Sequence, residues 1–291
     1  MGTSTAYQGP GGGTPLVPSW LGPDDGSNAP GIPTAPGAAP PVPGAVPPAP
    51  ADRPASPAPA DPNRFTSARN NFTRFAHSNG GLDRASLGRA VSGYVSTSSG
   101  GARQAAQRMG ASRGSGARLL SFLTDTQTRG TREALRSLNL EELAGCPIDE
   151  VFIGLADYIC PNVGTVDEGI AREAFVETII ELATLGVTDL DALTPEQMQT
   201  VFELYATHAI EARLCNDIGT KAITMPDNAQ AALRIQEQLR DFIRNGVSDA
   251  LTEARSETPI LTQEHIQLFV DLVYERSFGI LKILGDAEAN Q

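Results

Sequence analysis

Thr194-Pro195-Glu196-Gln197-Met198-Gln199-Thr200-Val201-Phe202-Glu203-Leu204-Tyr205-Ala206-Thr207-His208-Ala209-Ile210-Glu211-Ala212-Arg213-Leu214-Cys215 reads as one long helix from its first residue. Thr194 supplies a capping hydroxyl. Pro195 brings a φ already set for the first helical position, and Glu196 puts negative charge beside the unpaired N–H groups of the first turn. Behind this start Met198, Val201, Phe202, Tyr205, Ile210 and Leu214 recur at helical period.

The same grammar repeats on both sides. Pro147 opens a helix carrying Val151, Phe152, Leu155 and Ile159. Thr165 or Asp167 caps one with Ile170, Ala174, Phe175, Ile179 and Leu182, closed by Leu185-Gly186. Pro226-Asp227 opens another with Leu233, Leu239, Phe242, Ile243, Val247 and Leu251. The last starts near Thr262 and uses Ile266, Phe269, Val270, Val273, Phe278 and Leu281. Upstream, Asn63 or Asp61 caps a helix with Phe65, Ala68, Phe72 and Phe75, ended by Asn79-Gly80-Gly81. Asp83 caps a second with Leu87, Val91, Tyr94 and Val95. An Arg- and Ala-rich helix follows from Ala102 to Met109, and a fourth from about Ser115 to Arg129 presents Leu119, Leu120, Phe122 and Leu123. Strand patterns are nearly absent, so the sequence predicts an all-α helical bundle.

Composition divides the chain. Residues 1–62 hold 17 of the 22 prolines. Pro lacks an N–H and fixes φ, and this stretch has too little apolar area to offset ordering entropy. Residues 22–62 are therefore expected to be a disordered Pro/Gly/Ala-rich linker behind an N-terminal peptide, 1–21. Residues 64–132 carry eleven Arg against two Asp, whereas 133–291 carry eight Arg and two Lys against 28 acids. The body thus reads as a basic segment, 63–132, followed by an acidic bundle, 133–291. Arg103, Arg108, Arg113 and Arg118 are candidates for nucleic-acid or protein contact, with internal pairing against the acidic half as the competing reading. Aromatics that could stack bases, such as Phe72 and Phe75, have helical spacing and read as core.

Catalytic options are few. Gly9 to Gly13 lacks the Gly-Lys-Ser/Thr that a phosphate loop needs, and no Gly-x-Ser-x-Gly elbow occurs. Cys146, Cys160 and Cys215 have neither disulfide nor zinc spacing and read as buried or half-buried thiols. His208, Glu211 and Cys215 fall at i, i+3 and i+7 on one helix face, which reads as a core or interface histidine with a local acid partner. His77 and His265 read as surface. No catalytic residue, metal ligand or cofactor is assigned. With no long apolar run and no secretory signal, neither a membrane span nor export is expected, and the expected location is the cytoplasm.

The N-terminal peptide is the expected functional end. Tyr7, Leu16, Val17 and Trp20 form an apolar set that a passive tail would not need. With Thr3, Ser4, Gly9, Pro10 and Pro18 they make a peptide that another protein grips. Gly2 is small enough for Met1 to be trimmed, which leaves an unhindered amine.

The run Met1-Gly2-Thr3-Ser4, with Tyr7, Gly9-Pro10 and Gly12-Gly13-Thr14-Pro15-Leu16-Val17-Pro18-Ser19-Trp20, resembles the B component of the Qat anti-phage defence systems. The likeness continues through Asp61-Pro62-Asn63-Arg64-Phe65-Thr66-Ser67-Ala68-Arg69, through Leu87-Gly88-Arg89-Ala90-Val91-Ser92-Gly93-Tyr94-Val95 and through Phe202 to His208. The resemblance implies a non-enzymatic member of a four-gene bacterial system. Its partners would be a QueC-like enzyme similar to the queuosine-pathway nitrile synthase, an ATPase and a TatD-like nuclease. In related systems such synthase-like enzymes attach a deazaguanine to an N-terminal glycine, and Gly2 matches that acceptor position.

Overall fold

The computed structural model describes residues 61, 63–78, 81–161, 164–184, 188–219, 228–258 and 261–290. Within them ten α-helices follow one another and no strand occurs, so the body is all-α as the sequence predicts. The N-terminal peptide, the linker up to Ala60 and Pro62 lie outside the described residues, as do Asn79-Gly80, Leu185-Gly186 and Pro226-Asp227.

The basic half forms α1 (Thr66–His77), α2 (Arg84–Gly93), α3 (Ala102–Gln107) and α4 (Gly110–Arg129). Asp83 caps α2 as expected, accepting a hydrogen bond from the Ser86 N–H at 2.9 Å. α2 runs on into one π-helical turn, Tyr94–Ser98, and the chain then breaks at Gly100 and Gly101, whose φ values of 85° and 107° suit glycine. Two sequence expectations need correction. Neither Asn63 nor Asp61 caps α1: Phe65 occupies that position without a side-chain bond, while Asp61 accepts from the Asn63 N–H at 2.8 Å in the preceding turn. α4 starts at Gly110 rather than near Ser115. Its glycines look like helix breakers in the sequence, yet packing requires one of them: a Cβ on Gly116 would sit 3.2 Å from the Tyr205 ring and 3.3 Å from the Phe202 ring.

α5 (Thr131–Ser137) spans the boundary, and the acidic half contributes α6 (Ile148–Ile159), α7 (Val166–Thr184), α8 (Pro195–Ile218), α9 (Ala229–Glu257) and α10 (Ile266–Ala289). α8 begins with the full capping box: the Thr194 hydroxyl accepts from the Gln197 N–H, and the Gln197 side chain accepts from the Thr194 N–H at 2.9 Å. α7 opens on a similar reciprocal pair between Thr165 and Glu168, so Thr165, not Asp167, is its cap. α9 is capped by Asn228, whose side chain accepts from the Gln230 N–H at 2.9 Å.

α10 is the central element. It packs against α2, α3, α4 and α9, and it buries Phe269, Val270, Val273, Tyr274, Phe278 and Leu281. α9 and α10 run antiparallel, since Gly246 faces Leu281 while Arg276 pairs with Glu257 at 2.6 Å. α8 lies against α4, α7 and α9. Phe72 and Phe75 from α1, Leu87 and Val91 from α2 and Leu119 from α4 join one core with Phe202, Ile243 and Phe278. The two oppositely charged halves therefore share a single hydrophobic interior. Burial of that interior, rather than charge, carries the folding free energy.

Candidate functional site

The proposed acceptor Gly2 and the proposed partner-binding residues Thr3, Ser4, Tyr7, Gly9, Pro10, Leu16, Val17, Pro18 and Trp20 lie outside the described residues. What the structure adds is the surroundings of the arginines and of His208.

Of the four candidate arginines, three are tied into the body. Arg113 pairs with Asp271 of α10 at 2.7 Å. Arg118 donates from Nε to the Ile159 carbonyl at 2.9 Å, satisfying the end of α6. Arg108 is half-buried and donates to the Ser98 carbonyl at 3.4 Å. Its pKa is lowered by burial first and by the nearby charge of Arg64 second. Arg103 is exposed. Most of the remaining basic residues of this segment are also engaged within the chain. Arg69 donates to the Ile218 carbonyl at 2.9 Å, Arg84 pairs with Glu288 at 3.7 Å, and Arg64 lies over the Phe65 ring at 4.6 Å. Arg74 and Arg103 are the two exposed arginines of this segment with no hydrogen bond or ion pair among the described residues. The aromatics at 72, 75 and 94 are buried in the core.

A polar chain with little trace in the residue pattern crosses between the halves. Asp167 accepts from the Ala111 N–H at 2.8 Å with one oxygen and from Arg213 at 3.1 Å with the other. It thus caps α4 from another helix. Arg213 also pairs with Asp217 at 3.2 Å, and Asp217 accepts the buried Tyr94 hydroxyl at 2.9 Å. Burial first, then the Asp217 charge, raises the Tyr94 pKa far above the ordinary phenol value.

His208, Glu211 and Cys215 do share one face, and that face lines a cavity of about 270 Å³ between α1, α7, α8 and α9. The principal acid partner of His208 is not the local one expected. Its Nε2–H donates to Glu181 of α7 at 2.9 Å, whereas Glu211 stands 3.9 Å from Nδ1. Burial lowers the His208 pKa, and Arg240 acts in the same direction, so the ring is neutral near pH 7. For Glu181 burial would raise the pKa, but the hydrogen bond and charge of Arg244, helped by His208, hold it below the usual carboxylate value. Glu211 is held by Arg240 at 2.8 Å. Burial, with the Glu211 charge next, pushes the Cys215 thiol up to about 12, which makes it a poor nucleophile at neutral pH. Among the described residues no group of His, Cys, Asp and Glu is arranged to hold a metal ion. Arg240 and Arg244, which complete this network, sit at i and i+4 on α9. Their spacing was visible in the sequence, but nothing there said which acids they meet.

A family model described as "Qat anti-phage system associated protein QatB" matches residues 100–281, more than half of the chain and all of it within the helical body. No curated protein and no solved structure matches the chain. Among the described residues no helix is long and apolar enough to cross a membrane.

Proposed function

Because this chain belongs to the QatB family of Qat anti-phage system associated proteins, we propose that it is a non-enzymatic cytoplasmic subunit whose N-terminal peptide is bound by the QueC-like enzyme of the system, QatC. The ATPase QatA and the TatD-like nuclease QatD are further partners in this reading. The carrying observation is the division of the chain: 17 of its 22 prolines precede a helical body whose first helix starts at Thr66. A peptide on such a linker reaches a distant pocket while the body docks elsewhere, and joining two contacts raises the effective concentration of each.

Gly2 is the acceptor in this reading. Once Met1 is removed, its neutral amine adds to the activated, adenylated carbon of a deazaguanine. A C–N bond forms, the adenylate leaves with the bonding pair, and the amine loses a proton. Glycine adds no side chain to crowd that attack.

Intact mass of the chain made with and without the QueC-like partner tests the proposal. An added mass on the N-terminal peptide only when the partner is present is the expected result. Gly2→Glu keeps Met1 in place, so it should remove the conjugate and the defence while the helical body still folds. Full defence by the Gly2→Glu protein at normal expression would show that the terminal amine is not the functional group.

A further inference from the structure

We propose that the groove between α1, α7, α8 and α9 is a docking site for a cationic segment with an apolar face, supplied by another protein. The floor of the cavity is apolar, built from Phe72, Leu214, Ile235 and Leu239. The mouth is bordered by Glu173 and Glu177. On α7 these two share a face with Val176 and Ile180, at i, i+3, i+4 and i+7. Val176 is 45% exposed and Ile180 54%. On the opposite wall Leu233, 59% exposed, shares a face of α9 with Gln236 and Arg240. Uncovered aliphatic side chains thus stand on the two helices that flank the cavity, beside an apolar floor, as in a helix-binding groove.

Charge selects the occupant. Glu173 and Glu177 make no hydrogen bond or ion pair with a described residue. Arg240 is the one guanidinium lining the groove among the described residues, and Glu211 already holds it at 2.8 Å. Three carboxylates thus stand against one cation, and His208 beside them is neutral near pH 7. Lysine or arginine side chains flanking an apolar face would pair with Glu173 and Glu177 while leucine-like groups fill the floor. An acidic segment or a phosphate backbone would meet like charge at the same mouth. The chain's own residues 1–63, with four Asp against one Arg, have the wrong sign for this mouth. The groove is independent of the Gly2 reading: loss of the conjugate would leave it untouched, and blockage of the groove would leave the conjugate in place.

The test uses the full chain and two synthetic amphipathic peptides, one of leucine and lysine and one of leucine and glutamate. Fluorescence anisotropy should show binding of the lysine peptide and none of the glutamate peptide. Glu173→Lys with Glu177→Lys, both away from the core, should weaken binding by about tenfold or more. Ala212→Trp, which fills the cavity from the α8 side, should abolish it. Circular dichroism and melting confirm that each variant is folded, and the double lysine variant decides the outcome if Ala212→Trp is not. Equal binding of both peptides, unchanged binding by the double variant or no binding of the lysine peptide would each overturn the proposal. So would a small apolar dye that enters the groove and leaves on Ala212→Trp while the lysine peptide never binds, since that marks a small-ligand pocket.

Discussion

Gly88 on α2 and Gly285 on α10 meet backbone to backbone: a Cβ on Gly88 would stand 2.5 Å from the Gly285 carbonyl oxygen, and one on Gly285 would stand 2.6 Å from that of Gly88. Ser92 lies in the same crossing, and Arg84 with Glu288 closes its edge. The contact joins the basic and acidic halves at the most extensive helix pair of the body.

Either Gly88→Ala or Gly285→Ala should destabilise the chain, by ~1–3 kcal/mol of overpacking. The intrinsic gain of alanine over glycine in a helix, about 1 kcal/mol, works against that loss. Gly279, on the same helix α10, has nothing within 4 Å of an added Cβ, so Gly279→Ala should be neutral or stabilising. Urea midpoints of the three variants check the contrast. A crossing variant as stable as Gly279→Ala would mean that the helices can slide apart at little cost.

Asp167 holds the start of α4 from α7. Asp167→Ala frees the Ala111 N–H and one partner of Arg213. Losing such a cap costs about 1–2 kcal/mol. Amide exchange should quicken at residues 110–113 before it does elsewhere in α4. Uniform protection along α4 in the variant would show that Asp167 does not cap it.

Acid should weaken the fold in two stages. The His208 pKa is lowered in the folded chain, so its contribution is complete above the unfolded value of about 6.5 and is lost as pH falls from there through the folded value. Glu181 is also lowered, so its contribution is complete above about 4.5 and is lost below that. In both windows the unfolded chain binds more protons, so stability falls with pH. His208→Gln should flatten the stability–pH curve just below pH 6.5 and leave the lower loss in place. A variant curve parallel to that of the wild type over the upper window would remove His208 as its source.

DNA binding by the isolated chain should be slight near physiological salt. Counterion release needs free cations on one surface, and most arginines between 64 and 132 are engaged with carbonyls or acids of the same chain. Arg74→Gln with Arg103→Gln should therefore remove most of any weak binding seen at low salt without changing the melting temperature. A gel shift that survives physiological salt would restore a nucleic-acid role to this segment.

If the proposed complex with the QueC-like enzyme buries Trp20, Trp20→Ala should weaken that binding by ~2 kcal/mol or more, as loss of a buried aromatic anchor does. Melting of the helical body should not change. Titration calorimetry giving equal affinities for both forms would take Trp20 out of the interface.

Helix identity is legible where a helix carries its own start signal and apolar stripe, as Thr194 to Leu214 and Asp83 to Val91 show. The start of α4 is hidden in the sequence because a tertiary contact supplies its signal. Gly110 to Gly116 looks like a loop until Asp167 caps it and Tyr205 packs on Gly116. The shared face of His208, Glu211 and Cys215 followed from periodicity alone, but the stronger bond of His208 to Glu181 did not, because residues 27 apart meet only through the packing of α7 on α8.

The all-α class, the Pro-rich division of the chain and the opposite charges of the two halves of its body are readable from the residues alone. These are local quantities: capping chemistry, apolar period, missing N–H groups and counted charges act within a turn or two of the chain. What the arginines face, which acid holds His208 and where α1, α7, α8 and α9 leave a groove with an acidic mouth become visible once the helices are packed. Each of those depends on which helix surfaces meet, and that is set by burying one common core from both halves rather than by any single segment's pattern.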